Sequence, residues 1–523
     1  MKYFNEYRIE MIRNIGLFLL LLTGGLPYLN AQTVKSFTEK EAREMFRDAP
    51  SIETNTPYRP TSHPEAQWYN DAKFGLFIHW GIYSVKALRP SWGIYHNRFA
   101  GKSRRDIGVD IYYDLAKEFN PEKFDADKWM EIAKMMGMEY VVLTTKHHDG
   151  YCLWPSEYGD YNTSSGANGR DLVGEFVAAA RGYGLKIGFY FSPRDWGYNN
   201  HQSGFDASMR KFDGNNPREF PYPEEDNLKE YFKWIDFTVG QLSELLTRYG
   251  KIDLLWFDGA NWEGDVPNSE YGNKVRNWVY TMQPQIVINP RWGTVVNPDY
   301  KANQPAGLKK IAESAGDFYT FESHWDEIVN PQYNAGVYEP IWFEFCDIWK
   351  GFHWGYGVPE SCDADLDNMH AILERLSTLS AFGGNYLLNI GPDSQGEVRE
   401  DLLAEAEMLG PWIQLRKAAF FGTGPIKEWE TLSPVPLTSG GKIYYAHLTG
   451  KDNASKRKLL IKITQKPLTV EVLGKPEIEL SFTCDTEGLH ISLPLVQYDR
   501  LGEILVIQYQ ANNMTKTHNN TQR

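Results

Sequence analysis

Two patterns predict an α/β fold, a (β/α)8-like barrel followed by a C-terminal antiparallel β-sandwich. First, eight short apolar segments alternate with amphipathic helical stretches. Second, the last hundred or so residues switch to short apolar runs separated by turn residues. A third observation orients the barrel: polar and acidic residues recur just after successive apolar segments, at the strand ends where barrel enzymes mount their chemistry. At 523 residues the chain exceeds one compact domain of ordinary size, so two are expected.

In chain order, residues 1–31 read as a signal peptide. Lys2, Arg8 and Arg13 form a charged region, Ile15 to Leu22 an apolar run, and Leu29-Asn30-Ala31 a cleavage site. A start at Met11 would shorten only the charged region. The run is too short to span a bilayer comfortably and no Cys follows it, so export without a lipid anchor, to the periplasm or beyond, is expected. Residues 32–412 form the expected catalytic domain. A polar lead-in with a short helix near Glu39–Arg47 precedes strands at Phe74–His79, Tyr140–Thr145, Lys186–Ser192, Ile252–Phe257, Ile286–Asn289, Phe318–Glu322, Ile341–Phe345 and Tyr386–Ile390. Helices are predicted over Asp125–Met136, where Asp125 is a good N-cap, and over Leu172–Tyr183, closed by Gly184. Further helices are predicted at Leu228–Tyr249, Glu270–Met282 and Leu366–Phe382. The fifth to seventh units lack clear helical patterns, so closure is expected to be irregular there. Residues 413–511 carry the sandwich strands Ile443–Leu448, Leu459–Thr464, Leu468–Val472, Glu477–Phe482, Leu489–Leu493 and Ile504–Tyr509, and 512–523 are a polar tail.

Composition narrows the function. A formal charge of -14 argues against nucleic acid or an anionic membrane as partner, and no segment beyond the first 31 residues reads as membrane-inserted. The 17 Trp and 31 Tyr suit flat amphipathic contacts of the kind sugars make, or else a large core that uses Trp. Cys152, Cys346, Cys362 and Cys484 show no C-x-x-C spacing, which argues against a cysteine zinc site and leaves their pairing open. No cofactor is implied.

The strand ends carry the chemistry. They read His79-Trp80, His147-His148-Asp149, Tyr190 with Arg194-Asp195-Trp196, Asp258, Arg291-Trp292, Glu322, Glu344 within the seventh strand, and Asn389. Alone, Asp258 after Leu254-Leu255-Trp256-Phe257 would read as a loop cap. Among seven other ends bearing His, Arg and carboxylates it reads as a catalytic group. A metal-dependent hydrolase would use His79, His147, His148 and Asp258. Against it, the first strand has no His-x-His, and adjacent His147 and His148 would face opposite sides of a strand unless the strand ends there. No metal is expected. Two carboxylates suffice for glycoside hydrolysis.

The chain resembles the family 29 glycoside hydrolases, the retaining α-L-fucosidases. The resemblance rests on Trp68-Tyr69-Asn70-Asp71-Ala72-Lys73-Phe74-Gly75-Leu76-Phe77-Ile78-His79-Trp80-Gly81, Tyr140 to Gly150, Gly169-Arg170-Asp171-Leu172-Val173, Leu255-Trp256-Phe257-Asp258-Gly259 and Gly384 to Pro392. It implies that Asp258 is the nucleophile and that His79, His147, His148, Tyr190 and Arg291 surround the sugar or the nucleophile. Trp80, Trp92 and Trp354 complete the expected sugar-facing set. Glu322, in Gly316-Asp317-Phe318-Tyr319-Thr320-Phe321-Glu322, is the first choice for acid/base and Glu344 the second. The implied partner is a fucosylated oligosaccharide or glycoconjugate. One departure stands out: Ser91 in Pro90-Ser91-Trp92 occupies the place where relatives often carry a Glu that grips a sugar hydroxyl. It keeps open a related sugar such as α-L-galactose, or a catalytically inactive glycan-binding protein.

Overall fold

The computed structural model describes residues 37–49, 60–92, 107, 109–193, 195, 198, 228–258, 266–291, 316–322, 325, 342–494 and 498–510. The expected signal peptide, the polar tail, Arg194, Trp196 and Trp292 lie outside them. Eight parallel strands form one sheet: β1 (Phe74–Ile78), β2 (Tyr140–Lys146), β3 (Lys186–Phe191), β4 (Leu254–Phe257), β5 (Val287–Ile288), β6 (Phe318–Glu322), β7 (Trp342–Ile348) and β8 (Asn385–Ile390). Their order, β5-β4-β3-β2-β1-β8-β7-β6, is that of a barrel cut between β5 and β6.

That cut is where irregular closure was expected, and Asp317 spans it. Its backbone N–H donates to the Ile288 carbonyl at 2.6 Å, and its side chain accepts the Ile288 N–H at 2.9 Å. The same carboxylate takes the Thr61 N–H at 2.8 Å and the Tyr280 hydroxyl. Side-chain acceptors thus replace the missing ladder, which a two-residue strand cannot supply.

Strand periodicity sorts each side chain to one face. Phe77, Tyr140, Val142, Tyr190, Leu254, Trp256, Val287, Phe318, Trp342, Cys346 and Leu387 fill the barrel interior as one apolar cluster. Leu76, Ile78, Val141, Leu143, Leu255, Phe257, Ile288 and Phe343 point outward into the larger core under the helices. Those helices are α1 (Glu39–Asp48), α2 (Val109–Glu118), α3 (Ala126–Met135), α4 (Leu172–Gly182), α5 (Leu228–Arg248), α6 (Val266–Met282), α7 (Leu366–Phe382) and α8 (Glu400–Leu415). Caps fix several ends: Asp125 accepts from the Asp127 N–H, Asp171 from Gly174, and Gly383 closes α7 at φ 85°. Among the described residues no helix is long and apolar enough to cross a membrane.

After α8 come a five-stranded antiparallel sheet and a three-stranded one. The first comprises β9 (Gly424–Pro425), β10 (Leu437–Gly440), β11 (Ile443–Leu448), β13 (Thr469–Val472) and β16 (Glu503–Gln508), and the second β12 (Lys458–Ile461), β14 (Ser481–Cys484) and β15 (Leu489–Ser492). All four cysteines are free thiols.

Candidate active site

Two-residue periodicity carries each inward row past the barrel rim. Leu254 and Trp256 lead to Asp258, Phe318 and Thr320 to Glu322, Phe77 to His79, Leu387 to Asn389, and Val287 and Asn289 to Arg291. These side chains converge at the carboxyl ends of the strands. Arg291 lies between two carboxylates, donating from Nη1 to Asp258 Oδ1 at 2.6 Å and from Nη2 to Glu322 Oε2 at 2.7 Å. Its Nε donates to the Thr320 hydroxyl at 3.1 Å, and its guanidinium lies 4.7 Å above the Trp256 ring. The other Asp258 oxygen accepts from the Tyr190 hydroxyl at 2.9 Å and faces His148 Nε2 at 3.6 Å.

The electrostatics follow from these contacts. Burial pushes the Asp258 carboxyl up, but Arg291, His148 and the Tyr190 hydrogen bond outweigh it and hold it below the usual carboxylate range. Burial and the Asp258 charge raise the Tyr190 phenol, which therefore stays a donor. Desolvation drives His79 down to about 4, and drives His147 well below its ordinary value with help from His148. Both imidazoles are neutral near pH 7.

β2 ends at Lys146, so His147 and His148 are free of strand alternation and both reach the mouth, with ring centroids 4.3 Å apart. His147 stacks on Tyr190 at 5.3 Å, and His148 Nδ1 bonds Ser192 Oγ at 2.6 Å. Trp354 lies 5.2 Å from the His79 ring, and Trp92 meets His148 edge-on at 6.5 Å. Trp80 is the exception. One residue past His79, it points outward, packs against Phe119, Phe124 and Trp129, and donates to the Asp393 carbonyl at 2.7 Å. It belongs to the outer core, not to the sugar-facing set expected from the sequence.

The two acid/base candidates occupy different levels. Glu322 stands at the rim with its side chain 38% exposed. Glu344 pairs in register with Thr320, one layer deeper, and is fully buried. It accepts from Tyr140 at 2.6 Å, Trp256 Nε1 at 3.0 Å and Tyr69 at 3.3 Å, and burial pushes its carboxyl up to about 7.

His147, His148 and Asp258 each bring one ligand-type atom within 4.8 Å of the others. Both Asp258 oxygens are already engaged, one by a guanidinium. A cation added there would meet an existing positive charge at hydrogen-bond range.

Residues 46–418 match the family model for alpha-L-fucosidase. The chain belongs to the alpha-L-fucosidase family. It is 30% identical over 463 residues to the tissue alpha-L-fucosidase of Rattus norvegicus, an alignment covering 84% of this chain and 88% of that protein. Among solved structures, alpha-L-fucosidase isoenzyme 1 from Paenibacillus thiaminolyticus superposes with a TM-score of 0.66 at 26% identity, covering 86% of this chain and 99% of that one. A Bacteroides thetaiotaomicron GH29 alpha-L-fucosidase, trapped as a covalent intermediate with 2-fluoro-fucosyl fluoride, shares the fold at a TM-score of 0.66 and 23% identity over 88% and 100% of the two chains.

Four further residues of this alpha-L-fucosidase family member hold the site together; of these the sequence marked only Asn389, as a strand end without an assigned role. Asn289 grips both the N–H and the carbonyl of Phe257, at 2.8 and 2.9 Å, immediately before Asp258. Asn389 binds His79, Ser192 binds His148, and Thr320 binds Arg291. Their signal was inward parity on a strand, or adjacency to its end, beside a titratable neighbour.

Proposed function

We propose that this chain is an exported retaining exo-α-L-fucosidase that releases terminal α-L-fucose from glycans. The observation that carries the mechanism is the single Arg291 guanidinium joined to both Asp258 and Glu322 at the barrel mouth. It supports two carboxyl groups at short range, as double displacement requires. Asp258, kept ionised, attacks the anomeric carbon and forms a glycosyl ester as the bond to the leaving oxygen breaks. Glu322 gives that oxygen its proton. Glu322 then takes a proton from water, whose oxygen attacks the same carbon and frees Asp258. Glu344, without exposed surface, has no route to a leaving group, so Glu322 is the acid/base in this reading.

Incubation with 2-fluoro-fucosyl fluoride should leave an adduct on the peptide containing Asp258. An active Asp258→Gly variant would sink the assignment. Glu322→Ala should lose most activity and regain it with azide; azide rescue of Glu344→Ala instead would exchange the two roles. A higher kcat/KM on an aryl α-L-galactoside than on the fucoside would change the sugar. Export is tested by N-terminal sequencing of the secreted protein, expected to begin at Gln32; a retained Met1 or Met11 refutes cleavage.

A further inference from the structure

We propose that Ser91 and Asp149 form a hydrogen-bond lock that fixes His147 as its Nδ1–H tautomer and presents Nε2 as an acceptor to a hydroxyl of the bound sugar. The sugar's identity rests on the fucosidase reading above; the lock does not. Ser91 is thus a positioning residue, rather than a gap where a sugar contact has been lost.

Proton counting carries the argument. Ser91 is fully buried, and its Oγ has three neighbours: His147 Nδ1 at 2.5 Å, Asp149 Oδ2 at 3.0 Å and the Asp149 N–H at 2.8 Å. A hydroxyl has one proton to give and two lone pairs. The backbone N–H takes one lone pair. Burial pushes the Asp149 carboxyl up to about 6, so above that pH it is ionised and only accepts, and Ser91 donates to it. The remaining lone pair can then only receive a proton from His147 Nδ1. Asp149 is itself committed, accepting from the Tyr112 hydroxyl at 2.9 Å and the Tyr151 N–H at 3.0 Å.

The backbone is shaped for this contact. Ser91 adopts φ 57°, the left-handed region that favours glycine, and its N–H donates to the Tyr112 hydroxyl at 2.8 Å. Such strain persists where the surroundings over-determine it, and here four hydrogen bonds do so. The His147 ring plane is set by stacking on Tyr190, whose hydroxyl holds Asp258. With Nδ1 committed, Nε2 has no partner among the described residues.

His79 reaches the same state by a different device. Asn389 Nδ2 donates to the Trp354 carbonyl at 2.7 Å, so its Oδ1 faces His79 Nδ1 at 2.6 Å and accepts from it. Both imidazoles are therefore oriented to read hydroxyl donors on the substrate.

Long-range proton–nitrogen spectra of 15N-histidine-labelled protein, with the His147 signal identified by its loss in His147→Gln, report the tautomer directly. The wild type should carry the proton on Nδ1. Asp149→Asn should reverse it, because an amide donor facing Ser91 turns the hydroxyl toward His147. Ser91→Gly suits φ 57°, which offsets part of the cost of leaving the buried Asp149 N–H and His147 Nδ1 without their partner, so it should fold with a Tm lowered by a few degrees at most. It should show mixed tautomers and a KM for an aryl α-L-fucoside raised about tenfold with kcat little changed, as expected for one misdirected hydrogen bond. A merely structural role for Ser91 would leave both the tautomer and KM unchanged, whatever the shift in Tm. An Nε2–H tautomer in the wild type, or an unchanged KM in Ser91→Gly, overturns the proposal. If the wild type fails to turn over the fucoside, the fucosidase reading falls, and the tautomer spectra alone decide the lock.

Discussion

Glu344 is a buried carboxylate whose cost depends on pH. Three donors surround it, yet desolvation dominates and lifts its carboxyl to about 7, from an ordinary value near 4.5. The folded state therefore binds this proton more tightly than the unfolded chain. Stability from this group is greatest below about pH 4, declines as pH rises toward 7, and stays low above it. Glu344→Gln removes the titration. Relative to wild type it should gain stability progressively between pH 4 and 7, up to about 3 kcal/mol less the cost of one mismatched donor. Thermal melts of both proteins across that range check this; parallel curves would refute it. Arg291 makes the opposite case, because its two carboxylates need a planar fork and an ammonium cannot serve both in that geometry. Arg291→Lys should lower kcat/KM by about a hundredfold or more. Steady-state kinetics decide, and a loss under tenfold would mean that bridging is dispensable.

The short strand β5 works because side chains complete it. Asn289 clamps Phe257 through both backbone groups and so fixes the residue before Asp258. Asn289→Ala would strand a buried N–H and a buried carbonyl, at about 2–4 kcal/mol together. The expected result is a lower melting temperature with a disproportionate fall in kcat, since Asp258 loses its support. A fall in stability with kcat intact would show that Asp258 is positioned by Arg291 and Tyr190 alone. Such clamps lie beyond sequence reading, although the strands themselves were legible, because apolar runs between turn residues located all eight to within a few residues. Inward parity was legible too, and taking it further would have turned Trp80 outward and set Glu344 one layer below Glu322. The helix α8 was missed because Gly410-Pro411 reads as a break. Packing overrides that propensity: Gly410 lies against Met135, where a Cβ would come within 2.7 Å of its side chain. Asp317 was quoted within a motif, but its part in closing the barrel depends on a partner 29 residues away in sequence.

Across the whole molecule, barrel and sandwich meet at one buried charge cluster. Arg416, 1% exposed at the end of α8, donates to Glu503 of β16 at 2.6 Å and lies 4.4 Å above the Trp412 ring. Trp412 in turn donates from Nε1 to the Gly502 carbonyl at 2.9 Å. Glu503 also receives Lys475 and the Asp499 N–H, so the carboxylate is shared by the sandwich and the last barrel helix. Breaking a buried pair by deleting one partner typically costs about 3–5 kcal/mol, because the other charge is left behind. Lys475 offsets part of that. Arg416→Ala should therefore lower the melting temperature by several degrees while kcat/KM at 25 °C stays within about twofold, since Tyr190, His148 and Thr320, which hold Asp258 and Arg291, all belong to the barrel. Calorimetry sharpens the test. If the cluster couples the two parts, the variant should unfold in two separated transitions where the wild type shows one, and Glu503→Gln added to Arg416→Met should merge them again. An unchanged single transition in Arg416→Ala would assign the coupling to the apolar contacts around Trp412 and Phe420 instead.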